Sequence, residues 1–110
     1  MRLSTEVWVT ALIRRAEISG AFAVVVHRGD PQGGAVLVKI YNPVDRTARL
    51  YAQALKGEGE TVWMQPHPAA GEADLDAYVE RQRRFDPDLW MVEIEDREGR
   101  HFLTEAVEKH

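Results

Sequence analysis

Two runs of apolar, largely β-branched residues, "AFAVVV" at 21–26 and "AVLVKIY" at 35–41, constrain this chain more than any other feature. Neither alternates polar with apolar as a strand with one wet face does. A short, nearly unbroken apolar run is the pattern of a strand covered on both sides. The "GDPQGG" between them is glycine-rich loop composition, and the short separation reads as a hairpin. A sheet with cover on each face is thus the frame for the other segments, and covers on both faces would make three layers.

Two segments have helical spacing. Ser4 or Thr5 can cap a helix start, Glu6 suits its positive end, and Gly20 can take the left-handed conformation that closes it. Between them Trp8, Ala11, Leu12 and Ala16 recur at helical spacing, with Val9 and Ile13 widening the stripe, so a helix is expected over about Ser4–Ser19. Glu72, Asp74 and Asp76 open a second segment that Arg81, Arg83 and Arg84 close. This predicts a helix over about Glu72–Arg84 with a buried stripe of Leu75, Tyr78, Val79, Gln82 and Phe85, ended by Asp86 before Pro87. "TARLYAQ", "TVWMQ" and "LWMVEIE" read as further strands, and "RHFLTEA" as a last one. "NPVDR", "LKGEGE" and "PHPAAG" read as turns and loops. The expected fold is α+β: one domain over 1–110, with a mostly antiparallel sheet of five to six strands, two helices packed on it, and a three-layer α/β/α arrangement as its variant. Local patterns do not set strand order, nor whether both helices share a face.

A chain of 110 residues with 45% hydrophobic and 29% charged residues has the composition of a folded domain, not of a disordered segment. Its net charge of −4 is spread over both halves, which argues against a nucleic-acid footprint. The 11 arginines against 3 lysines are interleaved with acids and read as base-composition bias. Cysteine is absent, which excludes disulfide and thiolate chemistry and permits a reducing compartment. Arg14, Arg15 and Glu17 cut short any signal-peptide core, and no apolar run reaches the roughly 18 residues of a membrane span, so a cytoplasmic location is expected.

Strand alternation sorts side chains by face. Phe22, Val24 and Val26, with Val36, Val38 and Ile40, Ala48, Leu50 and Ala52, and Trp90, Val92 and Ile94, form an all-apolar set expected to be the core face. The opposite set is half charged, and from it His27, Lys39, Arg49, Tyr51, Glu93 and Glu95 form a candidate binding platform in which Lys39 and Arg49 could meet the glutamates across strands. No residue is assigned a catalytic role, no cofactor is implied, and no metal site is expected. Asp86 and Asp88 in "DPD" suit a turn better than a cation, and His27, His67 and His101 fit no zinc spacing. "RGD" at Arg28–Asp30 reads as a turn, and "GDPQGG" lacks the following helix of a phosphate loop. There is no G-x-S-x-G, and Trp8, Trp63 and Trp90 stand in apolar, core-like settings.

The stretches "RRFDPDLWMVEIEDREGRHFL", "VWVTALIRRAEISGAFAVVVHRGDPQGGAVLVKI" and "ARLY" resemble the small bacterial proteins, mainly alphaproteobacterial, grouped as the domain of unknown function 1491 family. "FDPDLW" and "VEIEDREGR" are its most specific parts. The resemblance implies a single bacterial domain and no activity.

Three functional readings result. The first is a non-catalytic binding or adaptor module that engages an unknown protein, or a second copy in a homodimer, through the mixed sheet face or an exposed strand edge. The second is a small hydrolase or transferase using His27 with Glu93 or Glu95, which requires those groups to converge in a pocket. The third is nucleic-acid binding through Arg14, Arg15, Arg81, Arg83 and Arg84, which requires both helix ends to share one surface.

Overall fold

Helix α1 (Thr5–Ile18) begins at the expected cap. In the computed structural model, which describes residues 3–56, 60–66 and 71–108, the Ser4 hydroxyl accepts from the Val7 amide at 3.3 Å. Gly20, with φ of 91°, follows the helix in the left-handed conformation. Helix α2 (Glu72–Phe85) has Glu72 and Asp74 in its first turn and stops at Asp86, whose extended backbone precedes Pro87. It buries Leu75 and Val79. Phe85 does not join that stripe. As the last helical residue it is 85% exposed.

Five strands form one sheet: β1 (Phe22–His27), β2 (Val36–Asn42), β3 (Thr47–Lys56), β4 (Glu60–Met64) and β5 (Trp90–Glu95), in the order β1-β5-β2-β3-β4. All neighbours are antiparallel except β2 and β5, which run parallel. The expected hairpin between β1 and β2 is therefore wrong, because β5 lies between them. Residues 28–35 instead cross the start of β5, a span of about 10 Å between strands with one strand between them. Asp30 donates its amide to the Asp88 carbonyl (3.0 Å), and the Trp90 amide and indole donate to Ala35 and Asp30 (2.8 Å each). A β-carbon at Gly29 or Gly34 would overlap the Asp88 carbonyl, so the glycines of this loop serve its close passage over β5. The expected last strand is also absent. Among residues 101–108 only Val107 forms a bridge, to Trp63.

The helices lie on opposite faces, giving three layers. α1 places Val9, Leu12 and Ala16 in a core with Ala23, Val38, Ile40, Tyr51, Trp63, Trp90 and Val92. α2 places Leu75 and Val79 in a second core with Leu37, Leu50, Leu89 and Met91. Residues Val36 to Ile40 of β2 are all buried, which accounts for a sequence that is apolar but for Lys39. Two strands have the opposite phase to that expected. In β3, Leu50 faces α2 and Tyr51 faces α1. In β1, Ala23 and Val25 face the α1 core, while Phe22, Val24 and Val26 are 68%, 43% and 56% exposed. The reason is that "FAVVV" has no polar alternate to mark its wet side, so neighbours decide the phase.

Candidate functional site

β1 ends the sheet on one side, and its outer edge has no backbone partner among the described residues. Val26 is the extra residue of a bulge, since the pairing with β5 shifts between Val25 and His27. The stretch Phe22–Val25 before it pairs regularly and carries no charge, proline or lysine to blunt the edge. On the α1 side this edge borders a groove of about 430 Å³ lined by Val7, Ala11, Ile13, Arg14, Val25 and Trp90. Arg28, paired with Glu6 and held 5.0 Å above the Trp90 ring, closes one end. On the other face Phe22 and Val24 stand on the sheet surface, with Val26 exposed beside them. A strand edge with apolar side chains on one face and an apolar groove on the other can accept an added strand, whose alternate side chains would contact both.

The six residues of the expected platform do not converge. Lys39, Glu93 and Glu95 share the α2 face, because Lys39 pairs with Glu93 and Tyr41 with Glu95 across parallel β2 and β5. Arg49 stands opposite Ile40, and Tyr51 lies in the α1 core against His101 (5.2 Å), so both belong to the other face. His27 stands opposite Met91 with its Nδ1 2.8 Å from the Leu89 carbonyl. Among the described residues no hydrogen bond or ion pair joins it to Glu93 or Glu95. Lys39 is only 3% exposed, roofed by Glu72 (2.7 Å) and Asp76 (2.9 Å) of α2, with Glu93 at 4.0 Å. Burial opposes its charge, but the Glu72 and Asp76 hydrogen bonds and the Glu93 charge outweigh that and hold its pKa above the ordinary lysine value. This cluster is a satisfied anchor for α2. Arg14 and Arg15 lie on α1 and Arg81, Arg83 and Arg84 on α2, on opposite faces of the sheet, so the shared basic surface is not formed.

The "DREGR" turn that follows β5 is also structural. Buried Asp96 accepts from the Arg100 amide (2.8 Å) and from Arg100 Nε and Nη2 (3.0 and 2.9 Å), which hold its carboxyl below the usual range despite burial. Asp86 Oδ1 accepts from the Asp88 amide at 3.1 Å, the turn expected of "DPD". Among the described residues no group of three or more His, Cys, Asp or Glu is placed to hold a metal; His67 lies outside them. Burial lowers the His101 pKa, and its Nδ1 accepts from the Leu103 amide (2.9 Å).

One constellation has no counterpart in the sequence reading. The Trp8 and Trp63 rings stack 5.3 Å apart, and each indole N–H donates to a different oxygen of Glu105, at 3.1 and 3.0 Å. Burial works against the Glu105 charge, but the Trp63 and Trp8 hydrogen bonds prevail and lower its pKa. These partners stand 97 and 42 residues from Glu105 in sequence, so no local spacing could have revealed them.

A family model described as "Protein of unknown function (DUF1491)" matches residues 3–104. The chain is similar to a DUF1491 family protein from Caulobacter crescentus CB15: its crystal structure shows 61% identity over 97% of this chain and 100% of that one, with a TM-score of 0.94. An NMR structure of a DUF1491 family protein from the same organism shows 60% identity over 99% of each chain, with a TM-score of 0.93. The solution structure of protein Atu0922 from A. tumefaciens is 34% identical over 100% of this chain and 99% of that one, with a TM-score of 0.82. Among curated proteins nothing matches.

Proposed function

The chain belongs to the DUF1491 family, whose function is unknown, and from that premise we propose that it is a non-catalytic binding module that joins a second copy of itself along β1. The observation that carries the reading is the bare β1 edge with Phe22, Val24 and Val26 exposed at 68%, 43% and 56%. The occupant follows from the strand's composition. Antiparallel pairing of two β1 strands about Val24 sets Val24 against its own counterpart, Ala23 against Val25, and Phe22 against Val26. Every pair is apolar, and aromatic and β-branched cross-strand pairs stabilise by roughly 0.2–1 kcal/mol each. A partner chosen by charge would need charges on this strand, and residues 22–26 have none. Closing the edge by a two-fold axis also removes the template for open-ended strand addition.

Sedimentation velocity over a wide concentration range tests the reading. The wild type is expected to show a monomer–dimer equilibrium, and Val24→Lys, which would place two ammonium groups face to face, to remain monomeric while still folding cooperatively. A wild type that stays monomeric throughout, or a Val24→Lys variant that dimerises as strongly, overturns it. Among the described residues no helix is long and apolar enough to cross a membrane. The proposal includes a cytoplasmic location, which the cysteine-free composition permits. Fractionation that recovers the protein with the periplasm or the membranes would refute that part.

A further inference from the structure

Among the described residues the two fully buried charges, Lys39 and Asp96, are paired with opposite charges, as is half-buried Glu6. Lys39 has Glu72, Asp76 and Glu93; Asp96 has Arg100; Glu6 has Arg28. Half-buried Glu105, like Arg15, Asp30 and Asp86, has no ion-pair partner among the described residues, and it lines a cleft beside the Trp8 ring. Its three hydrogen-bond donors, the Trp8 and Trp63 indoles and the Thr104 hydroxyl (3.1 Å), are all neutral. They satisfy its lone pairs and favour its ionised form, but leave a full negative charge in place. A half-buried charge gains most from a counter-charge where water is scarce, because screening is weakest there.

That charge opens onto a cleft of about 290 Å³ lined by Thr5, Trp8, Val36, Gln53, Thr61 and Glu105. A second hollow of about 330 Å³ adjoins it, sharing Leu3, Thr5, Gln53 and Thr61 and running on beside Gly33 and Ala35. Together they are of the size that takes a small molecule. The lining joins three elements whose positions are fixed independently. Thr5 Oγ1 donates to the Gly34 carbonyl (3.0 Å), Gln53 Oε1 accepts from the Val36 amide (2.9 Å), and the C-terminal segment is tied to β4 by the Trp63 and Glu108 amides (2.8 and 2.7 Å). The wall is therefore held in place without a ligand.

We propose that this cleft binds a small organic ammonium ion, its charge against the Glu105 carboxylate and its alkyl groups against the Trp8 indole. The electron-rich indole face attracts cations, most strongly when they are desolvated. A hard divalent metal ion is a poorer fit, since it needs several oxygen ligands and the cleft offers one carboxylate. An anion is repelled by the same group. Organic ammonium is the class that uses the carboxylate, the aromatic ring and the apolar wall of Val36 at once.

The test is a titration with n-butylammonium chloride, following the indole N–H resonances of Trp8 and Trp63, with n-butanol and sodium chloride as controls. The expected result is a saturable shift of both resonances with n-butylammonium alone, and at least about tenfold weaker binding to Glu105→Gln. Should Glu105→Gln fail to fold, Thr61→Lys carries the test. Its ammonium would occupy the cleft, so n-butylammonium affinity is again expected to fall about tenfold or more. A linear, unsaturable response, an equal response to n-butanol, or undiminished affinity in a folded Glu105→Gln or Thr61→Lys variant would overturn the proposal.

Discussion

The two edges of this sheet are finished in opposite ways. At β4 the chain returns to cover its own edge: the Trp63 amide donates to Ala106, the Glu108 amide donates to Trp63, and Glu105 grips both stacked indoles. Upstream, Arg15 donates twice to the Phe102 carbonyl (3.2 and 3.0 Å), and Arg100 stacks on the Phe102 ring at 5.0 Å. Phe102 itself has φ of 61°, a conformation that a non-glycine residue keeps only where its surroundings hold it. At β1 none of this is present among the described residues, and the exposed side chains are apolar. An exposed strand edge is a hazard that proteins usually blunt. This contrast, one edge closed by a dedicated segment and the other bare and apolar, is what the proposed association along β1 rests on.

The largest effect is expected at the closed edge. Trp63→Ala removes a fully buried aromatic and should cost about 3–5 kcal/mol in urea unfolding. A near-neutral result would mean that the C-terminal segment does not depend on this ring, and the contrast between the edges would lose its basis.

Acid comes next. Asp96 and Glu105 both have folded pKa values below their unfolded ones, so their contribution is present above the unfolded value of about 4 and is lost as pH falls through the lower folded value. Melting temperature should therefore fall as pH drops below about 4. Glu105→Gln should flatten part of that drop. Residues 22–26 contain no carboxylate, so strand pairing at β1 should tolerate acid for as long as the monomer stays folded.

The smallest effect on the monomer belongs to the open edge. Val24→Lys should change stability by less than about 1 kcal/mol, as at a half-exposed site away from the core. A larger loss would mean that Val24 packs within its own chain.

Much of the architecture was legible because local chemistry determines it. Ser4, Gly20 and the Asp86–Pro87 pair mark helix ends through capping and backbone restriction, and the apolar sequence of β2 reports burial on both faces. Strand order was not legible, since a glycine-rich loop that turns a hairpin and one that passes over a strand have the same composition. Only the close passage of Gly29 and Gly34 over Asp88 distinguishes them, and that is a tertiary fact. The phase of β1 was not legible because its apolar run has no polar alternate, and the platform is split at β3, where Arg49 and Tyr51 go to the face away from Lys39 and Glu93. The candidate edge is visible once β1 is known to be terminal, since its five uncharged residues are plain in the sequence. Glu105 had no local signal at all.

Amide hydrogen exchange resolved by residue, recorded at low and high protein concentration, tests the account most directly. Amides of residues 22–26 that point away from β5 should exchange rapidly at low concentration and become protected at high concentration, while the Trp63 amide stays protected at both. Outward amides of β1 that exchange at the same fast rate at every concentration would contradict it.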